Sequence, residues 1–245
     1  MTEPESGVSR GGFPPTHWSI VLAAGDSASP DSRDALEMLC RTYWYPLYAF
    51  VRRQGKAPEG ARDLTQAFFE RLIEKHYLKD LLQEKGRFRT FLLTTFKRFL
   101  CDQFDRSTAA KRGGGLRFVP LDALEAETQF SEAAAASKSP EAMFDRAWAE
   151  AVVQSGLERL RAEFEAAGQG SLFRELKGYL SRPSDRASYA EAAQRLGMTA
   201  DAVAMAVMRL RRRYRAMVRA EVANTVATPA EINEEMRYLV ELLTA

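Results

Sequence analysis

The chain has 245 residues, enough for one large or two small domains, and 46% of them are hydrophobic, enough for real cores. Its formal net charge is only +2, so total charge argues for no particular partner; any case for a polyanion must come from how the charge is distributed. Two cysteines (Cys40 and Cys101) and two histidines (His17 and His76) exclude a recognisable zinc framework and argue against a disulfide scaffold.

Both cysteines lie in apolar helical patterns and are expected to be buried and reduced. No stretch approaches the length of a membrane span and no signal-peptide pattern opens the chain, so a membrane segment is not expected and a cytoplasmic location is. No internal repeat is present.

Residues 1–30 form an extension that is polar and rich in Gly and Pro up to residue 15. Thr16 is placed to cap a short helix over 17–25, with Trp18, Val21 and Leu22 on one face. That face is expected to pack on the next domain, with a partner site as the alternative.

Residues 31–107 read as a compact helical domain. The first helix, or a pair bent at Pro46, spans 34–53, with Leu36, Leu39, Cys40, Tyr43, Leu47, Phe50 and Val51 on its apolar side. Pro58 suits the start of a second helix running to about residue 77. Its apolar arc is Leu64, Thr65, Phe68, Phe69, Leu72 and Ile73; its polar arc is Asp63, Gln66, Glu70 and Glu74. A third helix, 87–106, carries Phe88, Phe91, Leu92, Phe96, Phe99 and Phe104 for packing, and Arg89, Lys97 and Arg98 are expected to project from it. Aromatic rings beside cations suit unstacked bases and their backbone, although phenylalanines at helical spacing more often form a core.

Residues 108–139 change character, from a flexible basic AAKRGGG run to an acidic, Ala- and Ser-rich stretch, and read as a flexible acidic linker. Residues 140–222 are a second helical domain, opened by Pro140 and carried through Phe144, Trp148, Val152, Leu157 and Leu160. A Gly-rich break leads to a helix over 172–180. Residues 223–245 end the chain in an amphipathic helix, capped by Thr228, Pro229 and Glu231 and striped with Ile232, Met236, Leu239 and Leu243. The fold class is therefore all-α: two small helical domains joined by a linker.

The stretch 188–219 carries the strongest local signal. Ser188 and Glu191 have capping-box spacing, so a helix is expected from Tyr189, with Ala192, Ala193 and Leu196 on one face. Gly197 is placed to end it, Met198 to be buried in the turn, and Thr199 to cap a second helix with Asp201 in its first turn. That helix buries Val203, Val207, Leu210, Tyr214 and Met217. Its other face carries Ala204, Met205, Met208, Arg209, Arg212, Arg215 and Arg219. This is a helix-turn-helix with a basic comb, fitted to DNA; the bland alternative is a helical hairpin with a solvated Arg-rich face.

In order and spacing these elements resemble the extracytoplasmic-function sigma factors of the sigma-70 family, over about residues 34–222. Asp63-Leu64-Thr65-Gln66 followed by Phe69 is similar to the family's Asp-Leu-x-Gln-Glu-x-Phe, with Ala67 in place of Glu. Arg87-Phe88-Arg89-Thr90-Phe91-Leu92 is similar to its Arg-Phe-Arg-Thr-Trp-Leu, with Phe91 for Trp, and Arg98 stands where Asn is common. Tyr189-Ala190-Glu191-Ala192-Ala193 with Leu196-Gly197-Met198 is similar to Tyr-x-Glu-Ile-Ala with Leu-Gly-Ile, and Arg209, Arg211, Arg212 and Arg213 match the basic tail. Ala204, Met205 and Met208 replace the common Lys, Ser and His.

The resemblance implies a sigma factor that directs core RNA polymerase to promoter DNA and helps open it. It assigns Asp63, Gln66, Phe69 and Glu70 to core polymerase, and Arg87, Arg89, Phe91, Lys97 and Arg98 to the minus-ten element. Thr199, Ala204, Met205, Met208, Arg209, Arg212 and Arg215 fall to the minus-thirty-five element. The pocket for a flipped base falls in the loop 80–86. An anti-sigma or other regulatory protein is a further partner it allows. No cofactor, metal or catalytic residue is implied.

Two rivals remain. One is a stand-alone helix-turn-helix regulator that does not bind core polymerase; it needs a dimer interface or a ligand domain, and the last helix is available as the interface. The other is an enzyme using Glu158, Glu163 and Glu165, which read instead as a solvated helix face; no nucleophile–base pair, phosphate loop or metal-ligand spacing supports it.

Overall fold

The structure, a computed structural model, describes residues 32–74, 87–109, 126–130, 139–181, 186–226 and 228–244. The expected helix over 17–25, the base-pocket loop 80–86 and the basic start of the linker lie outside these residues. Every element described is helical, so the fold is all-α.

Helix α1 is Ser32–Arg53, one helix with Pro46 inside it and no break into a pair. Gly55, at φ +88°, turns the chain into α2, Pro58–Glu74, with Pro58 at the first helical position as expected. Helix α3 is Phe88–Ala109. Its Phe88, Leu92, Phe96 and Phe99 point inward, where Phe96 meets Phe68 edge-on at 4.8 Å between ring centroids. Ile73 and Phe104, read as packing residues, are exposed instead, Phe104 at 64%. Of the cysteines, Cys40 packs against the core and its thiol is pushed up to about 11, chiefly by burial and then by the Glu37 charge; Cys101, expected to be buried, is exposed.

Helix α4, Pro140–Ala166, starts on the Ser139 side chain, which accepts from the Ala142 N–H at 3.1 Å. Gly168, at φ +69°, leads into α5, Gly170–Leu176, which begins slightly upstream of the expected start and continues into a 3-10 turn, Lys177–Leu180. Helix α6 is Arg186–Leu196. It begins before Ser188, so Ser188 and Glu191 sit within the helix and do not cap it. Helix α7 is Ala200–Ala223 and α8 is Pro229–Thr244. Thr228 and Glu231 close the expected capping box at the head of α8: Thr228 N–H donates to Glu231 at 2.8 Å, and Glu231 N–H donates to the Thr228 hydroxyl at 3.4 Å.

The core does not respect the segment boundary near residue 139. One cluster joins Leu39, Tyr43, Leu47, Phe88 and Phe96 to Phe144, Trp148, Val152, Val218, Val222, Ile232 and Leu239. The most extensive helix pairing in the described chain is α1 on α4. The 126–130 stretch of the expected flexible linker is helical and pinned to α1. Arg52 grips the Glu127 carboxylate at 2.7 and 2.9 Å, and its guanidinium lies 4.8 Å from the centroid of the Phe130 ring. Tyr48 also donates to Glu127. A second cluster, built from Leu160, Phe173, Leu176, Ala192, Ala193, Val203, Val207 and Leu210, holds α5, α6 and α7 together.

Helix α8 docks on α4 and α7, burying Ile232 and Leu239, while Leu243 stays exposed. Burying two such aliphatic side chains stabilises the docked helix by about 1.5–3 kcal/mol each. No helix among the described residues is long and apolar enough to cross a membrane.

Candidate nucleic-acid interface

The turn between α6 and α7 forms for local reasons. Gly197 adopts φ +63°, a left-handed conformation that a side chain disfavours. The Met198 N–H then reaches back to the Ala193 carbonyl at 3.0 Å, ending α6. Thr199 is extended and its hydroxyl accepts from the Ala202 N–H at 3.2 Å, which starts α7. Ala192 and Ala193 are small enough for α7 to cross close by and bury Val203, Val207 and Leu210 against them. Met198, expected inside the turn, is exposed.

The outer face of α7 divides in two along its length. Near the turn it is apolar and small: Ala204 is half-buried, while Met205 is 46% and Met208 57% exposed. Further along it is cationic. Arg211 is spent on the Tyr179 carbonyl at 3.0 and 2.8 Å, Arg213 on Glu163 at 2.5 Å, and Arg219 on the Asn233 side chain at 2.7 Å. Arg209, Arg212 and Arg215 are exposed, with no hydrogen-bond or ion-pair partner among the described residues. The comb is thus narrower than the sequence reading, which included Arg219. Three unpaired guanidinium groups on one helix are able to donate to anionic oxygens, and methionine thioethers beside them offer apolar contact only.

Asp63, Gln66 and Glu70 on the polar arc of α2 reach the surface to different degrees. Asp63 is exposed, and Gln66 donates to Glu70 at 3.2 Å. Phe69, grouped with them by the resemblance, is buried against Phe68 and cannot contribute to a docking face.

The largest correction concerns α3. Arg89, expected to project, is buried. Its guanidinium spans the Glu235 carboxylate at 2.7 and 3.2 Å, bonds Asp145 at 2.7 Å, and lies 4.5 and 5.1 Å from the ring centroids of Tyr238 and Trp148. Burial alone would lower the Arg89 pKa; the bonds to Glu235, with the Glu235 and Asp145 charges, raise it on balance. Arg87 pairs with Glu234 at 2.7 Å and Glu235 at 2.8 Å, and Lys97 with Glu141 at 2.6 Å. Tyr238 donates to Asp145 at 2.8 Å, and its hydroxyl is pushed up to about 12 by burial and that bond. Phe91 is half-buried against the core. Of the minus-ten set, only Arg98 stands exposed without a partner among the described residues.

The acids that hold these cations, Glu141, Asp145, Glu234 and Glu235, were not singled out by sequence reading. One signal was available: Glu235 falls on the stripe of Ile232, Met236 and Leu239, and an acid in an apolar helical stripe implies a buried cation. The sequence does not say which cation. Glu158, Glu163 and Glu165 are spread over separate surface pairs, with Arg41, Arg213 and Arg161 respectively.

These features define an all-α protein with a capped two-helix turn and an exposed cationic helix face. Compared with protein-family models, with curated proteins and with solved structures, the chain finds no match.

Proposed function

We propose that this chain is a promoter-recognition subunit of RNA polymerase, of the extracytoplasmic-function sigma type, working in the cytoplasm with no chemistry of its own. The observation that carries the reading is the outer face of α7, where unpaired Arg209, Arg212 and Arg215 continue from Ala204, Met205 and Met208 behind a Thr199-capped turn. Arginines neutralise phosphates and fix the register of the helix on a duplex, while side chains near its start meet base edges. Promoter DNA is the ligand of this face. The exposed Asp63 and the half-buried Gln66 and Glu70 supply the face for core polymerase, and Arg87, Arg89, Phe91, Lys97 and Arg98 the strand-opening helix. Trapping an unstacked base costs a few kcal/mol, offset by stacking and backbone contacts.

A stand-alone dimeric regulator is less well supported, because α8, its candidate dimer interface, buries Ile232 and Leu239 within its own chain. The test is co-elution with purified core RNA polymerase. The wild-type chain co-elutes, and Asp63→Ala with Gln66→Ala weakens the complex while the helical circular dichroism stays intact. A chain that binds promoter DNA yet never co-elutes is a stand-alone regulator.

A further inference from the structure

The two cationic surfaces of this chain are in opposite states. Arg209, Arg212 and Arg215 on α7 are open, whereas Arg89 and Lys97 on α3 and Arg87 just ahead of it are occupied by carboxylates from the other half of the chain, leaving Arg98 as the exposed cation of α3 without a partner among the described residues. We propose that α8, together with the first turns of α4, is a latch: Glu234, Glu235, Asp145 and Glu141 sit where nucleic-acid phosphates would sit, and keep α3 from a DNA strand until the chain opens. The inference rests on the reading of α3 as the strand-opening helix and adds how that helix is regulated.

The geometry is that of phosphate recognition carried out by carboxylates. Glu235 is 1% exposed and lies between two arginines, accepting hydrogen bonds from two nitrogens of Arg89 and forming an ion pair with Arg87 at 2.8 Å. Planar guanidinium groups bind carboxylate and phosphate in the same two-pronged way, so α8 and a DNA backbone compete for the same donors. The head of α3 is also tied by its backbone, the Phe88 N–H donating to the Thr225 carbonyl at 3.1 Å, directly ahead of α8. The capping box of Thr228 and Glu231 keeps the latch helix formed.

Opening must remove Ile232 and Leu239 from the core and separate a buried ion pair. Non-specific contact with DNA does not supply that. The closed form leaves the α2 face of Asp63, Gln66 and Glu70 at the surface, so core polymerase docks there first and the latch releases afterwards. The order is docking, release of α8, then engagement of the single strand.

Two arms test this on the full chain. In the first, a mixed-sequence single-stranded DNA oligonucleotide is titrated into wild type, the Glu234→Gln/Glu235→Gln variant and the surface variant Glu141→Gln. Freeing Arg87 and loosening Arg89, which keeps Asp145, should tighten binding roughly tenfold in the double variant, less in Glu141→Gln, and steepen the salt dependence in proportion. Unchanged affinity in variants that keep their helical circular dichroism overturns the latch. If the double variant loses its helicity, Glu141→Gln alone decides this arm, since that exposed pair holds no buried charge.

In the second arm, hydrogen exchange across residues 229–244 is compared with and without core polymerase. Lost protection on docking supports the latch; protection that persists while promoter-specific transcription proceeds overturns it. Failure of every variant to co-elute with polymerase counts against the sigma reading instead, and leaves the DNA arm to decide the latch.

Discussion

Arg89 and Glu235 lie 146 positions apart in the chain and meet as a two-pronged ion pair, with the Arg89 guanidinium 5.1 Å from the Trp148 ring centroid and 4.5 Å from that of Tyr238. Removing Glu235 leaves the buried Arg89 with Asp145 as its remaining carboxylate partner. Glu235→Ala should therefore destabilise the chain, by less than the ~3–5 kcal/mol that a wholly uncompensated buried charge costs. In a double-mutant cycle with Arg89→Met the two changes should be strongly non-additive, because the second removes the stranded charge. Thermal melts of the wild type, both single variants and the double variant check this. Additive losses would mean that the two side chains do not share one site.

The crossing of α4 and α7 gives a second prediction. A Cβ added at Gly156 would meet Val218 Cγ2 at 2.8 Å and the Val218 backbone at 3.2 and 3.3 Å. Backbone cannot rotate aside as a side-chain tip can. Gly156→Ala should cost about 1–3 kcal/mol through overpacking. A melting temperature equal to wild type would show that the helices have room to part. The same substitution at Gly60, where an added Cβ meets nothing within 4 Å, is the matched control.

Arg212 and Met205 should separate affinity from preference. Arg212→Ala is expected to weaken duplex binding about equally on all sequences and to reduce the salt slope by about one phosphate contact. Met205→Lys should instead change which duplexes are preferred, since a thioether makes apolar contact with thymine methyl groups and an ammonium donates to guanine. Binding to a randomised duplex library, read at several salt concentrations, separates the two. An unchanged preference profile in Met205→Lys would move the recognition face elsewhere.

The clip at 126–130 should respond to acid. Its Glu127 carboxyl is held below the ordinary 4.5, first by the Arg52 hydrogen bonds, with partial burial opposing and Tyr48 adding to the lowering. A depressed folded pKa contributes stability that is fully present above the unfolded value and is lost as pH falls through the folded one. Hydrogen exchange of 126–130 should therefore accelerate below pH 4.5 beyond the intrinsic trend, and Glu127→Gln should abolish that dependence. An identical pH profile in the variant would show that Arg52 does not hold the segment.

Much of this molecule was legible locally. The Thr228–Glu231 box, the Gly197 turn, the Thr199 cap and the inward Phe88, Phe96 and Phe99 all follow from contacts within a few residues, where sequence spacing carries the physics. Long-range pairing was not legible. Arg89 has the same local pattern as Arg98, yet one is buried against Glu235 and the other is exposed; the difference is set by a helix from the far end of the chain. Phe69 was misassigned for a related reason. A motif position names a residue, but its burial depends on which neighbour, here Phe68 and the α3 rings, closes over it. Ser188 failed as a cap because α6 had already begun upstream, and capping spacing inside a helix carries no signal.

The central claim is that this chain gives RNA polymerase a promoter preference. Its most direct measurement is run-off transcription by purified core polymerase on a randomised promoter library, with and without the chain, and with Arg209→Ala/Arg212→Ala. The account predicts discrete start sites that appear only with the wild-type chain and fade with the double variant. An identical transcript profile with and without the chain, under conditions where it binds the same DNA, would contradict it.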